Sequence, residues 1–162
     1  MANPQKVPAH SFTIGVKDND NGDYVEIGGL TELQYDADMT EADTTDFDSG
    51  GDSEHIVVRR SRTVTMNGRR LEDPLDGERD DGQKIVEDLM QEVGVNSLGA
   101  FRIETPSGEE WTFVASVQPN TMGGGTDDTW SWGATLNVSG PISVEDDNGD
   151  NGDNGDNNNG DE

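Results

Sequence analysis

Residues 36–54 read DADMTEADTTDFDSGGDSE, and residues 55–70 continue as HIVVRRSRTVTMNGRR. The first run holds eight carboxylates (Asp36, Asp38, Glu41, Asp43, Asp46, Asp48, Asp52 and Glu54) and no lysine or arginine. It cannot pack as a core and reads as a long acidic loop. The second run carries Arg59, Arg60, Arg62, Arg69 and Arg70, half of the ten basic residues in the protein. Its alternation is that of a strand, with Ile56, Val58, Arg60, Arg62, Val64 and Met66 on one face and Val57, Arg59, Ser61, Thr63 and Thr65 on the other. Neither face is apolar along its full length. Opposite charges displayed on different edges of one subunit favour association of identical copies in a fixed register. The expectation is self-assembly, with Asp43, Asp46, Asp48, Asp52, Glu54 and the five arginines as contacts between subunits.

Outward from this stretch the chain is mostly strand. Phe12, Ile14 and Val16 alternate with Thr13 and Gly15, and Asn21-Gly22 supplies a tight turn into a second strand at Tyr24–Ile27. Gly28-Gly29 marks a bulge or bend before Leu33, Tyr35 and Ala37. One helix is predicted in DDGQKIVEDLMQEVG, with Asp80 as cap, Gln83 completing a capping box, Ile85, Leu89 and Val93 as an apolar stripe, and Gly94 as terminator. Phe101 and Ile103 pair across the turn Pro106-Ser107-Gly108 with Trp111, Phe113, Ala115 and Val117. A glycine-rich linker leads to a last strand with Trp130, Trp132, Ala134, Leu136 and Val138 on one face, ended by Pro141. The fold class is mainly β, an antiparallel β-sandwich or barrel of six to eight strands with one packed α-helix. Three regions follow: an N-terminal arm (1–9), a β domain (10–142) containing an acidic loop (39–55), and an acidic disordered C-terminal tail (143–162).

Composition narrows the function. The net charge is −25 over 162 residues, and the tail from Glu145 holds eight carboxylates and no base, leaving −17 on the body. Such a body repels itself in dilute buffer and is at ease in concentrated salt, where the Debye length shrinks from roughly 10 Å at 0.1 M to about 3 Å at 1 M. Three lysines against seven arginines, with aspartate prevailing over glutamate, match the bias of extreme halophiles; an acidic mesophile protein is the alternative. The chain has no cysteine, hence no disulfide, thiolate site or cysteine nucleophile. No segment has the length of a membrane span or a signal-peptide core, so the protein is expected to be made soluble inside a cell.

No motif singles out an enzyme. The carboxylates are many, but no pair stands in the contrasting environments that acid–base catalysis needs. His10 and His55 lack metal-ligand spacing. Asp18 and Asp20 do not match a calcium loop, and Gly123-Gly124-Gly125 precedes aspartates rather than a helix, so it is no phosphate cradle. The arginines could reward phosphate binding by counterion release, but the acidic body opposes nucleic acid. No catalytic residue, metal or cofactor is expected.

The order of these features resembles the tail tube (major tail) protein of long non-contractile-tailed viruses over residues 10–142. The matching pieces are GGLTELQYDADMTEADTTDFDSGG, VVRRSRTVTMNGRR, EDPLDGERDDGQKIVEDLM, FRIETPSGEEWTFVASV and GGGTDDTWSWGATLNVSGPI. The resemblance implies a structural virion protein: hexameric rings stacked into a hollow tail tube, the helix outside, an acidic lumen lined by a barrel completed between subunits, and the acidic loop reaching the next ring. It implies passage of double-stranded DNA into the host without tight binding, a tape measure protein inside, and tail terminator and baseplate or distal tail proteins at the ends. Some relatives end in an immunoglobulin-like module; here a short acidic tail stands instead. With the salt-tolerant composition, a virus of a halophilic archaeon is expected. The rival is a β-sandwich binding module for carbohydrate or a cell surface, with Trp130 and Trp132 as its platform.

Overall fold

The computed structural model describes residues 4–19 and 22–146. Seven strands form one antiparallel sheet: β1 (Thr13–Lys17), β2 (Tyr24–Glu26), β3 (Leu30–Asp43), β4 (His55–Arg69), β5 (Leu98–Glu104), β6 (Glu110–Pro119) and β7 (Ser131–Glu145). Their order is β2-β1-β5-β6-β7-β4-β3. Among the described residues one α-helix, α1 (Asp81–Gln91), lies against β6, β1 and β2. The mainly β class with a single packed helix is therefore as expected.

Alternation along the strands puts Ile14, Val16, Val64, Met66, Phe101, Ile103, Phe113, Ala115, Trp132, Ala134 and Leu136 into one buried cluster, which Val86 and Leu89 of α1 join. The sheet curls over this cluster far enough for Tyr35 of β3 to meet Trp111 of β6 edge-on, ring centres 5.7 Å apart. The two end strands, β2 and β3, do not pair with each other. The sheet stays open, and a closed barrel within one subunit is not what forms.

The helix starts as predicted. Asp80 caps it by accepting from the Gln83 amide at 2.9 Å. The reciprocal half of a capping box is absent because the Gln83 side chain turns inward, completely buried. It donates to the carbonyls of Gly28 and Arg69, each at 2.9 Å, and accepts from the Leu71 amide at 3.2 Å. Asp80 also accepts from the Gly28 amide at 3.3 Å. The Gly28-Gly29 bend thus serves as the helix's seat: Gly29 is left-handed (φ 74°), and a Cβ on Gly68 beside it would lie 2.2 Å from its carbonyl oxygen. At its far end α1 stops at Gln91, short of the expected Val93. Glu92 is already extended, so Val93 leaves the stripe and is exposed.

Two strand boundaries differ from the sequence reading. The acidic stretch is not a loop throughout: residues up to Asp43 are strand, paired residue by residue with β4, and the connection spans only residues 44–54. A strand with both faces in water needs no apolar alternation, so its partner's β-branched and arginine side chains template it. Pro141 does not end β7, which runs to Glu145 because residues 140–142 bulge opposite Phe113, and proline is tolerated at a bulge whose free side has no ladder partner. Pairing of Ser143, Val144 and Glu145 with β6 moves the start of the C-terminal tail back; its remainder from 147 lies outside the described residues. So does Asn21 of the first turn, where Gly22 is left-handed (φ 72°).

Candidate assembly interface

β3 and β4 are long, and β7 covers β4 only from Thr63 to Arg69. Beyond that point β3 and β4 leave the sheet as a two-stranded arm, extending roughly 25 Å at about 3.3 Å per residue. Register sorts its side chains. Tyr35, Ala37/Arg62 and Met39/Arg60 continue the core-side face outward. Asp36/Thr63, Asp38/Ser61 and Thr40/Arg59 occupy the reverse. A bulge at Val58, between the pairs Thr40/Arg59 and Glu41/Val57, shifts the alternation, so Val57 rather than Ile56 shares a face with Arg60.

This arm is unfinished as a piece of monomer. Tyr35, Met39, Ile56, Val57 and Val58 are exposed on it, and a two-stranded ribbon is marginal in water without a covering surface. Both of its outer edges lack a ladder partner among the described strands, which natural proteins avoid unless an edge is to be paired or covered. Arg59, Arg60, Arg62 and Arg69 make no ion pair among the described residues. Arg70 is different: it pairs with Glu72 at 3.0 Å and Glu87 at 3.4 Å. Arg79 also pairs with Glu87, which accepts the Trp132 indole N–H at 3.0 Å. Arg70 therefore acts inside the subunit, held by its near neighbour Glu72 and by Glu87, which only the packing of α1 brings to it.

The tip is ordered by its own polar groups. Thr44 N–H donates to the Glu54 carbonyl at 2.9 Å, and Glu54 N–H to the Thr45 hydroxyl at 3.0 Å. Asp46 caps the short 3-10 turn Phe47–Ser49 in a full capping box, and left-handed Gly50 closes it. Hydrogen bonds from the Thr45 hydroxyl and amide hold the Asp43 carboxyl below its ordinary range. Asp43 and Asp46 thus serve the turn, while Asp48, Asp52 and Glu54 stay exposed around it. Phe47 stands wholly in solvent at the outermost point, a residue the charge-based reading passed over.

Where the arm leaves the sheet there is an apolar hollow of about 290 Å³, lined by Phe12, Leu33, Tyr35, Ile103 and Trp111 with Val7 at its rim. The two tryptophans proposed as a binding platform do not act together. Trp132 is buried beneath Glu87, and only Trp130 is exposed.

No protein-family model matches the sequence, and neither does any curated protein. Solved structures do share the fold. A chain of the virion of a native gene transfer agent (GTA) particle superposes with a TM-score of 0.64 at 17% identity, over 86% of this chain and 99% of that one. A chain of the tail of an empty GTA particle, refined with C6 symmetry, gives 0.65 at 17% identity over the same shares. A chain of the six-fold symmetrised baseplate of the anti-feeding prophage gives 0.51 at 10% identity, over 90% and 98%. The architecture is the one these tail and baseplate chains share.

Proposed function

We propose that this chain is a structural, non-enzymatic subunit of a virion tail, associating with copies of itself into rings that stack as a tail tube through which DNA passes. The observation that carries the reading is the arm: a two-stranded extension with unpaired edges, exposed apolar side chains and arginines whose partners lie elsewhere. Copies arranged in rings would cover the edges, and rings in register would pair the arms. Likeness of fold to a chain of a C6-symmetric tail supports a six-fold ring.

In such a ring the helix lies outside and the uncovered face of β4, β7 and β6 faces the bore. Its middle carries Thr63, Thr65, Thr112, Val114, Ser116, Thr135 and Asn137, neutral side chains rather than carboxylates. DNA is kept off this wall by the field of a strongly acidic assembly more than by charges lining it. Tape measure protein within the tube and terminator and baseplate proteins at its ends complete the tail, and the acidic surface suits concentrated salt, as in a halophilic host.

Negative-stain microscopy of the purified chain in about 2 M salt, where screening shortens to a few ångströms, tests the reading. Rings or tubes are expected. Monomers at every concentration and salt would overturn it.

A further inference from the structure

Two features at opposite ends of the arm are complementary. Phe47 at the tip is the most exposed large hydrophobic residue among those described, and it is held out by a rigid, internally hydrogen-bonded turn. At the base lies the apolar hollow, whose 290 Å³ exceeds the roughly 150 Å³ that suffices to hold a benzene ring. The arm itself keeps the tip roughly 25 Å from its own base, so Phe47 cannot reach the hollow of its own chain.

Charge points the same way. Asp48, Asp52 and Glu54 surround Phe47 at the tip, whereas Arg60 and Arg62 continue the face of Tyr35 away from the hollow. An acidic tip with an aromatic anchor thus faces a basic, apolar base. Shifting a copy along the arm axis by the arm's own length brings tip onto base, and the same shift repeats without limit. That is the heterologous contact that builds open-ended stacks rather than closed dimers.

We propose that Phe47 of one subunit seats in the hollow of a subunit in the next ring, against Leu33, Tyr35 and Trp111, with the surrounding carboxylates on that subunit's Arg60 and Arg62. The occupant is a second copy of this chain, so the proposal rests on the assembly reading and makes it specific. The preformed tip loses little freedom on docking, which favours a single aromatic as the dominant anchor.

The chain has no cysteine, so engineered pairs report cleanly. Full-length Phe47→Cys/Leu33→Cys, Leu33 lining the hollow on the same face as Tyr35, is oxidised under assembly conditions; a ladder of covalent multimers is expected, with single variants giving dimers at most. Phe47→Ser should raise the concentration needed for stacking about thirty-fold, the effect of losing an anchoring side chain, with circular dichroism unchanged. Tubes from Phe47→Ser at the wild-type concentration together with no ladder from the cysteine pair would overturn the proposal and leave assembly standing. A ladder from Asn3→Cys/Leu33→Cys in place of the Phe47 pair would give the hollow to a neighbour's N-terminal arm and overturn it equally. Wild-type chain that never associates would sink both readings.

Discussion

Gln83 donates its side-chain amide to the carbonyl of Gly28 at 2.9 Å, joining the first turn of the helix to the corner between β2 and β3. The same group reaches Arg69 and Leu71, so one buried side chain ties together three segments far apart in sequence.

Replacing it with alanine strands two carbonyls and an amide without water and opens a void. Gln83→Ala should therefore destabilise the subunit by about 3 kcal/mol. Urea unfolding followed by circular dichroism measures this. A loss under about 1 kcal/mol would mean that water or side-chain rearrangement replaces the bonds.

Where burial imposes a period, the sequence was readable. Ile14 and Val16, Phe101 and Ile103, and Trp132, Ala134 and Leu136 alternate because one face of each strand is sealed, and Asp80 announces the helix because a cap needs a side-chain acceptor. Residues 36–43 were hidden because an arm wet on both faces carries no such period; only the cross-strand ladder makes it a strand. The five arginines and the acidic tip were legible as charges. Their division was not: Arg70 differs from Arg69 by which way it points, and Glu87, Arg79 and Trp132 meet only through tertiary packing. Phe47 was overlooked because a lone aromatic in an acidic run has no pattern to declare it.

Glu87 gathers Arg70, Arg79 and the Trp132 indole at the helix–sheet boundary. Glu87→Ala leaves two guanidinium groups facing one another, and since they are about a quarter exposed solvent softens the penalty to roughly 2 kcal/mol. The fluorescence of Trp132 should shift as its N–H loses its acceptor. Iodide quenching separates the tryptophans independently: Trp130→Phe should remove most of the quenchable emission. Quenching that persists at full strength in Trp130→Phe/Trp111→Phe, where Trp132 is the one tryptophan left, would place Trp132 in water and revive a tryptophan platform.

Asp43 offers a test in acid. Hydrogen bonds from Thr45 favour its ionised form, so its folded pKa lies below the ordinary value of 3.8. Because the folded value is depressed, its contribution to tip order is present above the unfolded pKa and disappears as pH falls through the folded one. The Thr45 amide resonance should move with a midpoint below 3.8, and Thr45→Val should bring the Asp43 titration back toward 3.8. A Thr45 amide that moves with a midpoint at or above 3.8 would contradict the assignment.

Arg60 and Arg62 share the arm face with Tyr35 and make no ion pair with the described residues of their own chain. Reversing both to glutamate removes no internal partner, so subunit stability should stay within about 0.5 kcal/mol, the usual range for an exposed substitution. Stacking is another matter, because the reversed base now repels the acidic tip presented to it. Arg60→Glu/Arg62→Glu should give rings without tubes under the microscope, with strand-like circular dichroism retained. Changing Asp48 and Asp52 to lysine in the same chain restores opposite signs across the contact and should recover tubes, which a merely misfolded arm could not do. Tubes of normal length from the double reversal would show that electrostatic matching between tip and base does not govern how the copies stack.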